Sequence, residues 1–389
     1  MTKLDAIVLA DDGLSRTQIA GLTVRERAVR VAKKLGAERV FVTDGDRSAL
    51  SAWRARTSGP VLVLRADQLV HTDLAAPLVA ARPTNGIASA VAPDGSYAGA
   101  LVATGAAADA MVERLARGDS DISIAADAEA QIPHGPVACH PIRTREQRRA
   151  ATRLLYSILI KPQDNALTRY LYRPVSLPMT KVLVWTPITP NQVSILVGLL
   201  VLVGCYLSMQ ASMLSVLAGT SIILFGQYLD CCDGEIARVK LMSSRFGAWL
   251  DTIVDELSTV GYMVALGWHC HLYFGRDYFG DVGRDPWIAM VWIGAVTYGW
   301  ACYCIYYNII VAVGSANSQD YVGKFDVVPG AAPNTVRLRP AAPTTIPTKN
   351  LPPWLATIAT LAPYVVRRDF IAILSVVLAA LHLTQILFI

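Results

Sequence analysis

The chain has 389 residues, 53% of them hydrophobic, with a formal net charge of +5 and a mean hydropathy of +0.39. These values exclude a disordered chain and a small disulfide scaffold, and the length suits two or three domains. The averages conceal two halves, because residues 1–142 are mixed in composition whereas long apolar segments dominate beyond residue 187.

The N-terminal half alternates short apolar strand patterns with amphipathic helix patterns. Strands are predicted at Ala6–Leu9, Arg39–Thr43 and Pro60–Leu64, and helices at Val24–Leu35, Asp73–Ala80 and Ala106–Ala116. This alternation predicts a doubly wound α/β domain over residues 1–142. The sequence does not open on a basic region followed by an apolar one, so we expect this domain to be cytoplasmic.

Residues 143–187 form a predicted amphipathic juxtamembrane linker. Thr144–Ile160 is a predicted helix, and Leu167–Trp185 mixes basic residues with Leu, Tyr, Val and Trp, which is typical of a helix lying at a membrane interface. The basic residues suit an anionic membrane surface or a phosphate better than nucleic acid, so no nucleic-acid partner is expected. They are Lys161, Arg169, Arg173 and Lys181.

Apolar segments beyond residue 187 approach the roughly 20 residues that cross the hydrocarbon core. The predicted spans are Asn191–Met209, Met213–Leu229, Gly247–Trp268, Trp287–Val313 and Phe370–Ile389. They predict an all-α, multi-pass membrane domain of five to six transmembrane helices over residues 188–389. Leu351–Val366 is the sixth candidate, for which an interfacial helix is the preferred prediction. Basic residues at 238–245 place that loop on the cytoplasmic side of the cell membrane.

Four aspartates lie in a fixed frame between the second and third predicted spans. Residues 230–255 read D-x2-D-G-x2-A-R-x8-G-x3-D-x3-D. Asp230 and Asp233 share one helix face, and Asp251 and Asp255 share a face of the next helix. Charge inside a membrane is costly, and hard oxygen ligands suit Mg²⁺ or Mn²⁺ together with substrate phosphates. The frame therefore predicts a membrane-embedded divalent-metal site for a pyrophosphate-like ligand.

This frame resembles the signature of the CDP-alcohol phosphatidyltransferase family at every specified position. The resemblance implies transfer of a phosphoalcohol group from a CDP-alcohol to a second alcohol, with release of CMP. It implies two Mg²⁺ (or Mn²⁺) ions held by Asp230, Asp233, Asp251 and Asp255, with Asp255 also the catalytic base. It further implies a CDP site and a homodimer. The residues of that CDP site would be Gly234, Ala237, Arg238 and Gly247.

A longer resemblance covers most of the chain. Residues 161–176, 186–194 and 367–370 look like proteins in which a sugar-nucleotidyltransferase-like domain is fused to this membrane domain. Such proteins act in the synthesis of phosphatidylinositol phosphate or of di-inositol phosphate phosphate. An acceptor such as inositol phosphate needs a basic pocket, for which Arg367 and Arg368 are the candidates, with Arg169 or Arg173 as additions. Interfacial anchoring is the alternative for each arginine.

The N-terminal domain departs from the nucleotidyltransferase pattern L-A-A-G-x-G-x-R. Residues 9–16 read L-A-D-D-G-L-S-R, and no lysine follows Arg16 at the expected position. Asp11 and Asp12 would repel a triphosphate, although Asp67 matches the position of a metal-binding aspartate. We therefore expect a degenerate domain with a structural or regulatory role.

The preferred prediction is an integral membrane phosphotransferase whose donor is CDP-diacylglycerol or a similar lipid and whose acceptor is a phosphorylated polyol such as inositol phosphate. One alternative changes the donor to soluble CDP-inositol. An alternative of another class is a cation transporter whose aspartates line an ion path; it predicts acidic residues on several spans.

Overall fold

The structure is a computed structural model. It describes residues 3–160, 167–275, 278, 280, 285–313, 325–329, 336–340, 352 and 367–388. The chain forms two compact units. The N-terminal unit comprises residues 1–163, 180–187 and 235–242, and the C-terminal unit comprises residues 164–179, 188–234 and 243–389. The predicted domain boundaries at 142 and 187 stay a prediction.

The N-terminal unit is built on a six-stranded mixed sheet. The strands of this unit are β1 (Leu4–Leu9), β2 (Gln18–Ile19), β3 (Leu22–Thr23), β4 (Ala37–Val42), β5 (Val61–Arg65), β6 (Gln68–Val70), β7 (Gly86–Val91), β8 (Tyr97–Thr104), β9 (Ala130–Pro133) and β10 (Cys139–Pro141). The main sheet has the order β4-β1-β5-β8-β7-β9. β1 is parallel to β4 and β5, whereas β8 is antiparallel to both β5 and β7. The predicted α/β class is confirmed.

Helices cover both faces of this sheet. They are α1 (Val24–Lys34), α2 (Leu50–Arg54), α3 (Thr72–Ala81), α4 (Ala106–Ala116) and α5 (Asp121–Ala126), followed by α6 (Arg145–Ser157). Side chains alternate along β5, so that Leu62 and Leu64 join one core with α1 and α3. Val61 and Val63 join a second core with α2, α4 and α5. The predicted strands and helices of this domain are confirmed to within a few residues.

The β7–β8 hairpin is absent from the sequence prediction, and it makes the sheet mixed. A turn at Pro93-Asp94-Gly95 closes it, with Ala92 N–H donating to the Ser96 carbonyl at 2.8 Å. Gly95 has φ +81°, a conformation that glycine adopts without steric cost. Pro-Asp-Gly is a turn sequence, so the signal was present. The alanine-rich strands were not recognised because alanine has low β propensity.

The C-terminal unit is mainly helical. A wide helical turn at Thr168–Tyr172 leads into α7 (Arg173–Leu183). The remaining described elements are α8 (Pro190–Ser208), α9 (Met213–Val239), α10 (Arg245–Phe274), α11 (Pro286–Tyr307) extended by a wide turn at Asn308–Val313, the hairpin β11 (Phe325–Pro329) and β12 (Val336–Pro340), α12 (Arg368–Ala380) and α13 (Thr384–Phe388). The last residues of α9 belong to the N-terminal unit.

Three of the described helices are long and apolar enough to cross a bilayer: Pro190–Ser208, Met213–Val239 and Pro286–Val311. They correspond to three of the five predicted spans and support a membrane protein. α10 has 30 residues and is long enough, but its carboxylates and histidines make it less apolar. The sixth candidate, Leu351–Val366, lies outside the described residues except for Pro352.

The predicted span Phe370–Ile389 is not one continuous helix. α12 has 13 residues and ends at a turn in which His382 adopts φ +60° and Leu383 N–H donates to the Leu378 carbonyl at 2.8 Å. This is a Schellman motif, which closes a helix. At 1.5 Å per residue, α12 is about 20 Å long, which is shorter than a hydrocarbon core of about 30 Å.

Candidate metal and phosphate site

Three aspartates from two neighbouring helices form a carboxylate cluster. Asp230 and Asp233 lie on α9, and Asp251 lies one and a half turns into α10, whose N-terminus is capped by Ser244. One carboxylate oxygen of each aspartate lies within 4.8 Å of the others. The short loop between the two helices brings distant positions of the sequence together. Oxygen donors at this separation suit a divalent cation such as Mg²⁺ or Mn²⁺.

A hydroxyl group from a third helix orients one member of the cluster. Ser194 on α8 donates from Oγ to Asp233 Oδ2 at 2.6 Å, and both residues are buried. α8 is itself fixed at its start, since Thr189 and Gln192 form a reciprocal capping box. Ser194 is absent from the sequence prediction because the frame contains only residues of α9 and α10.

Asp255, the fourth predicted ligand, is engaged differently from the other three. Arg368, the first residue of α12, donates from Nη2 to Asp255 Oδ2 in a charge-assisted hydrogen bond. The other predicted acceptor arginine, Arg367, contacts Asp369 at 3.6 Å instead. The structure thus brings Arg368 to the aspartate frame and directs Arg367 to a different carboxylate.

The two further basic candidates differ in exposure. Arg169 is exposed in the wide turn before α7, whereas Arg173 is only 6% exposed. Nearby, the Tyr172 hydroxyl donates to the Asp369 carbonyl at 2.8 Å, so this segment packs against the start of α12.

The small residues of the frame have distinct surroundings. A Cβ atom on Gly247 would lie 3.0 Å from Asn191 Oδ1 and 3.2 Å from Ser244 Oγ, so glycine allows α8 and the start of α10 to approach closely. Gly234, Ala237 and Arg238 follow Asp233 on α9, with Ala237 on the same helix face as Asp233.

Glu256, next to Asp255, is a half-buried polar group that the sequence prediction missed. Its carboxylate accepts hydrogen bonds from the hydroxyls of Tyr298 and Tyr306, the latter at 2.6 Å, and lies 3.4 Å from Cys302 Sγ. These three α11 residues recur every four positions and so share one face. That spacing is the signal that could have indicated a polar α11 face.

An apolar pocket lies beside Arg368 in the C-terminal unit. Its walls come from α9, α10 and α12, and Arg368 is the charged residue among its lining side chains. The apolar lining includes Ile223, Ile371 and Ala372, with Ser258, Thr259 and Tyr262 supplying hydroxyls. A pocket of this kind can accept an apolar chain while presenting a cation to a phosphate.

In the N-terminal unit, the residues that stand at the nucleotide-loop positions are held by intramolecular contacts. Asp11 accepts hydrogen bonds from the Thr43 hydroxyl, from Gly45 N–H at 3.1 Å and from Arg47 Nε at 3.0 Å. Partial burial acts to raise the pKa of Asp11, but the bonds from Thr43 and Arg47 outweigh it and hold the pKa below its usual value. Asp11 is therefore a carboxylate at neutral pH.

Asp67, the possible metal-binding aspartate of this domain, is paired with arginine. Arg65 Nε donates to Asp67 Oδ1 at 2.9 Å, and Arg143 Nη2 lies 3.9 Å from Asp67 Oδ2. Two cationic side chains thus surround the oxygens that a metal would need.

Residues 187–333 match the family model of CDP-alcohol phosphatidyltransferases. The matched residues contain all four aspartates of the frame. Arg367 and Arg368 lie beyond the matched residues.

Parts of the chain are also similar to individual proteins of known name. The chain is 30% identical over 174 residues to a bifunctional IPC transferase and DIPP synthase of Aquifex aeolicus, covering 44% of this chain and 36% of that protein. It is 34% identical over 116 residues to the protein of the same name from Archaeoglobus fulgidus, covering 30% of this chain and 23% of that protein. An archaetidylinositol phosphate synthase of Pyrococcus horikoshii is 38% identical over 82 residues, which are 21% of this chain and 42% of that protein. The chain thus spans less than half of the length of each relative. The family and the names of these relatives support a phosphotransferase.

Proposed function

We propose that this protein transfers a phosphoalcohol group from a CDP-alcohol to the hydroxyl group of a polar acceptor and releases CMP. The observation that carries the proposal is the cluster of carboxylate oxygens of Asp230, Asp233 and Asp251, which lie within 4.8 Å of one another inside a matched CDP-alcohol phosphatidyltransferase domain. In the reaction, the acceptor oxygen forms a bond to the β-phosphorus of the donor, and the bond from that phosphorus to CMP breaks.

Asp230, Asp233 and Asp251 are the proposed ligands of Mg²⁺ or Mn²⁺, and Asp255 is the proposed ligand of a second ion. Bound metal ions would neutralise the negative charge on the phosphate oxygens. Ser194 keeps the Asp233 carboxylate oriented through its 2.6 Å hydrogen bond. Gly234, Ala237, Arg238 and Gly247 are the proposed CDP-binding residues, among which Arg238 can donate two parallel hydrogen bonds to a phosphate.

Asp255 is the proposed general base for the acceptor hydroxyl. Its carboxylate takes the proton of that hydroxyl as the oxygen attacks, and Arg368 holds the carboxylate in place. Arg368 thus lies where an acceptor phosphate and the base can both reach it. Arg367 is the second proposed acceptor contact, with Arg169 and Arg173 as further candidates.

The proposed donor is CDP-diacylglycerol or a similar lipid, and the proposed acceptor is a phosphorylated polyol such as inositol phosphate. The apolar pocket beside Arg368 supports a donor with apolar chains. Soluble CDP-inositol is the second candidate donor. It is favoured by the relatives named DIPP synthase, to which up to 44% of this chain aligns.

The proposed role of the N-terminal domain, residues 1–142, is structural or regulatory. The arginine contacts on Asp11 and Asp67 support this, because they occupy oxygens that nucleotide and metal chemistry would use. Residues 143–187 are proposed as a juxtamembrane linker and residues 188–389 as the transferase domain. We place the protein in the cell membrane as a homodimer, with the N-terminal domain and the active site facing the cytoplasm.

The proposal is tested with the purified full chain by measuring CMP release with Mg²⁺. CDP-diacylglycerol and CDP-inositol are compared as donors, each with inositol phosphate and with inositol. We expect release with CDP-diacylglycerol plus inositol phosphate. Asp233→Asn should lower the rate at least about a hundredfold, because a lost ligand removes several kcal/mol of charge stabilisation. The control Glu146→Gln alters an exposed carboxylate on α6 and should stay within about twofold.

The outcomes separate the candidates. If CMP were released from CDP-inositol but not from CDP-diacylglycerol, the donor would be the soluble compound and not the lipid. A rate unchanged by Asp233→Asn would contradict the proposed site. If the protein conducted divalent cations into sealed vesicles and released no CMP from either donor, the transporter alternative would replace the transferase.

A further inference from the structure

The C-terminal end of α9, the helix that carries Asp230 and Asp233, is buried in the N-terminal unit. Residues 235–242 belong to that unit. Ile236 and Val239 are fully buried, and Leu241 belongs to the sheet-domain core that also contains Val31 and Leu78. The helix therefore does not end in a free loop but is anchored in the core of the α/β domain.

The backbone at this anchor is held in an unusual conformation. Leu241 has φ +54°, a region that residues other than glycine, asparagine and aspartate rarely adopt. Met242 N–H donates to the Ala237 carbonyl at 2.8 Å, which completes a Schellman motif with leucine at the left-handed position. A leucine persists there because its side chain is buried in the core.

Two arginines of α1 bind the carbonyl groups at this helix end. Arg27 donates from Nη1 to the Val239 carbonyl at 2.8 Å and from Nη2 to the Ile19 carbonyl at 3.3 Å. Arg30 donates from Nη1 to the Lys240 carbonyl at 2.8 Å. The last carbonyls of a helix lack intrahelical partners and carry partial negative charge, so cationic donors stabilise them.

Arg27 is a charged side chain that is fully buried in the N-terminal unit. Burial and then the nearby Arg30 charge lower the pKa of Arg27 to about 10, so the guanidinium is still protonated at neutral pH. A buried charge of this kind is tolerated because Nη1 and Nη2 each donate to a backbone carbonyl. Arg25 on the same helix is instead paired with the exposed Asp44 at 2.9 Å.

A third contact joins the entrance of α8 to the same anchor. Lys240 Nζ donates to the Thr186 carbonyl at 2.7 Å, four residues before α8 begins at Pro190. α8 carries Ser194, the hydrogen-bond donor to Asp233. The anchor therefore holds the end of α9 and the residues that lead into α8.

We propose that the N-terminal domain positions the metal-binding helix of the transferase, with Arg27 and Arg30 as positioning residues that clamp the end of α9. The proposal rests on the proposed function of the aspartate cluster. Val239 lies less than two turns beyond Asp233, or about 9 Å along the helix axis. Because a helix is stiff over that length, fixing its end limits the freedom of the carboxylates.

The test compares Arg27→Met with Arg25→Met in the full chain. Met keeps much of the length of arginine and removes the donors. Two readouts need no turnover: hydrogen exchange of the amides of residues 231–240 in metal-free protein, and the dissociation constant for Mn²⁺ measured by electron paramagnetic resonance. In Arg27→Met we expect faster hydrogen exchange of these amides and a dissociation constant for Mn²⁺ that is higher by on the order of tenfold. Loss of a residue that supports a metal ligand typically reduces metal affinity by this amount. Arg25→Met should change neither.

A second pair of variants keeps the test decisive if Arg27→Met does not fold. Arg30→Met removes the contact to Lys240 from a less buried position, and Leu241→Gly relieves the backbone strain while removing the anchor. Both should accelerate exchange at the end of α9 and weaken Mn²⁺ binding, and Arg27→Lys should restore part of the affinity. Unchanged exchange and affinity in Arg30→Met and Leu241→Gly would overturn the positioning role.

Failure of the proposed function has a different signature. If Asp233→Asn bound Mn²⁺ as tightly as the unaltered protein, the cluster would not be the metal site, whatever Arg27→Met did. If Asp233→Asn no longer bound Mn²⁺, whereas Arg27→Met bound it with unchanged affinity and unchanged amide exchange, the metal site would be supported and only the positioning role would be contradicted.

Discussion

At the residue scale, adjacent arginines at the start of α12 have different surroundings. Arg368 donates to Asp255 and borders the apolar pocket, whereas Arg367 contacts Asp369 and its side chain is 49% exposed. Arg367 is the N-cap residue with an extended backbone, and Arg368 is the first residue of the helix, so the two side chains leave the chain in different directions. The sequence proposed both as acceptor contacts, and the geometry favours Arg368.

Replacing Arg368 therefore should affect the acceptor far more than replacing Arg367. We expect Arg368→Ala to raise the acceptor KM about tenfold or more, since a charged hydrogen bond contributes about 1.5–3 kcal/mol. Arg367→Ala, an exposed ion pair, should change it by less than about threefold. The measurement is the acceptor KM and the donor KM in the CMP-release assay. A larger effect of either variant on the donor KM would move the acceptor site elsewhere.

At the element scale, α8 and α9 approach each other closely at two glycines. A Cβ on Gly219 would lie 2.5 Å from the Gly204 carbonyl oxygen and 2.5 Å from Ser208 Oγ, and one on Gly204 would lie 2.9 Å from the Gly219 carbonyl oxygen. Small residues let helix backbones pack at short distance in membrane proteins. This contact aligns α8, which bears Ser194, with α9, which bears Asp233.

Adding one methyl group at this crossing should destabilise the helix pair. We expect Gly219→Ala to lower the free energy of unfolding by about 1–3 kcal/mol, because backbone must shift to admit the Cβ. Gly299→Ala is the matched control: it lies within α11, and nothing lies within 4 Å of its Cβ. That control should be neutral or stabilising by up to about 1 kcal/mol. Thermal unfolding in detergent measures both, and equal midpoints would contradict the close crossing.

At the scale of the whole molecule, charged side chains of the N-terminal unit are engaged in contacts within that unit. Asp11 accepts hydrogen bonds from Thr43 and Arg47, and Asp67 accepts one from Arg65. Arg27 of α1 donates to a carbonyl at the end of α9. Each of these contacts uses a charged side chain within the N-terminal unit, which agrees with the structural or regulatory role proposed for residues 1–142.

We therefore expect no nucleotidyltransferase activity from the full chain. With CTP, Mg²⁺ and inositol phosphate, pyrophosphate release should equal the background, because the Asp11 carboxylate repels a triphosphate and arginines occupy Asp67. The same preparation must release CMP from a CDP-alcohol, which controls for inactive protein. Pyrophosphate release that depends on both CTP and the sugar phosphate would contradict the degenerate assignment.

The sequence by itself determined the class of the N-terminal fold, the aspartate frame and the resemblance of residues 187–333 to one family, since these depend on local periodicity and on fixed spacing along neighbouring helices. Periodicity also located α8, α9 and α11, but it could not show that α12 stops at His382, because a Schellman turn ending in apolar residues looks like a continuing span. Only the tertiary structure brought Ser194 to Asp233, Arg368 to Asp255 and Arg27 to Val239. Those contacts join residues 39, 113 and 212 positions apart, and hydrogen bonds over such separations depend on packing that no short sequence pattern encodes.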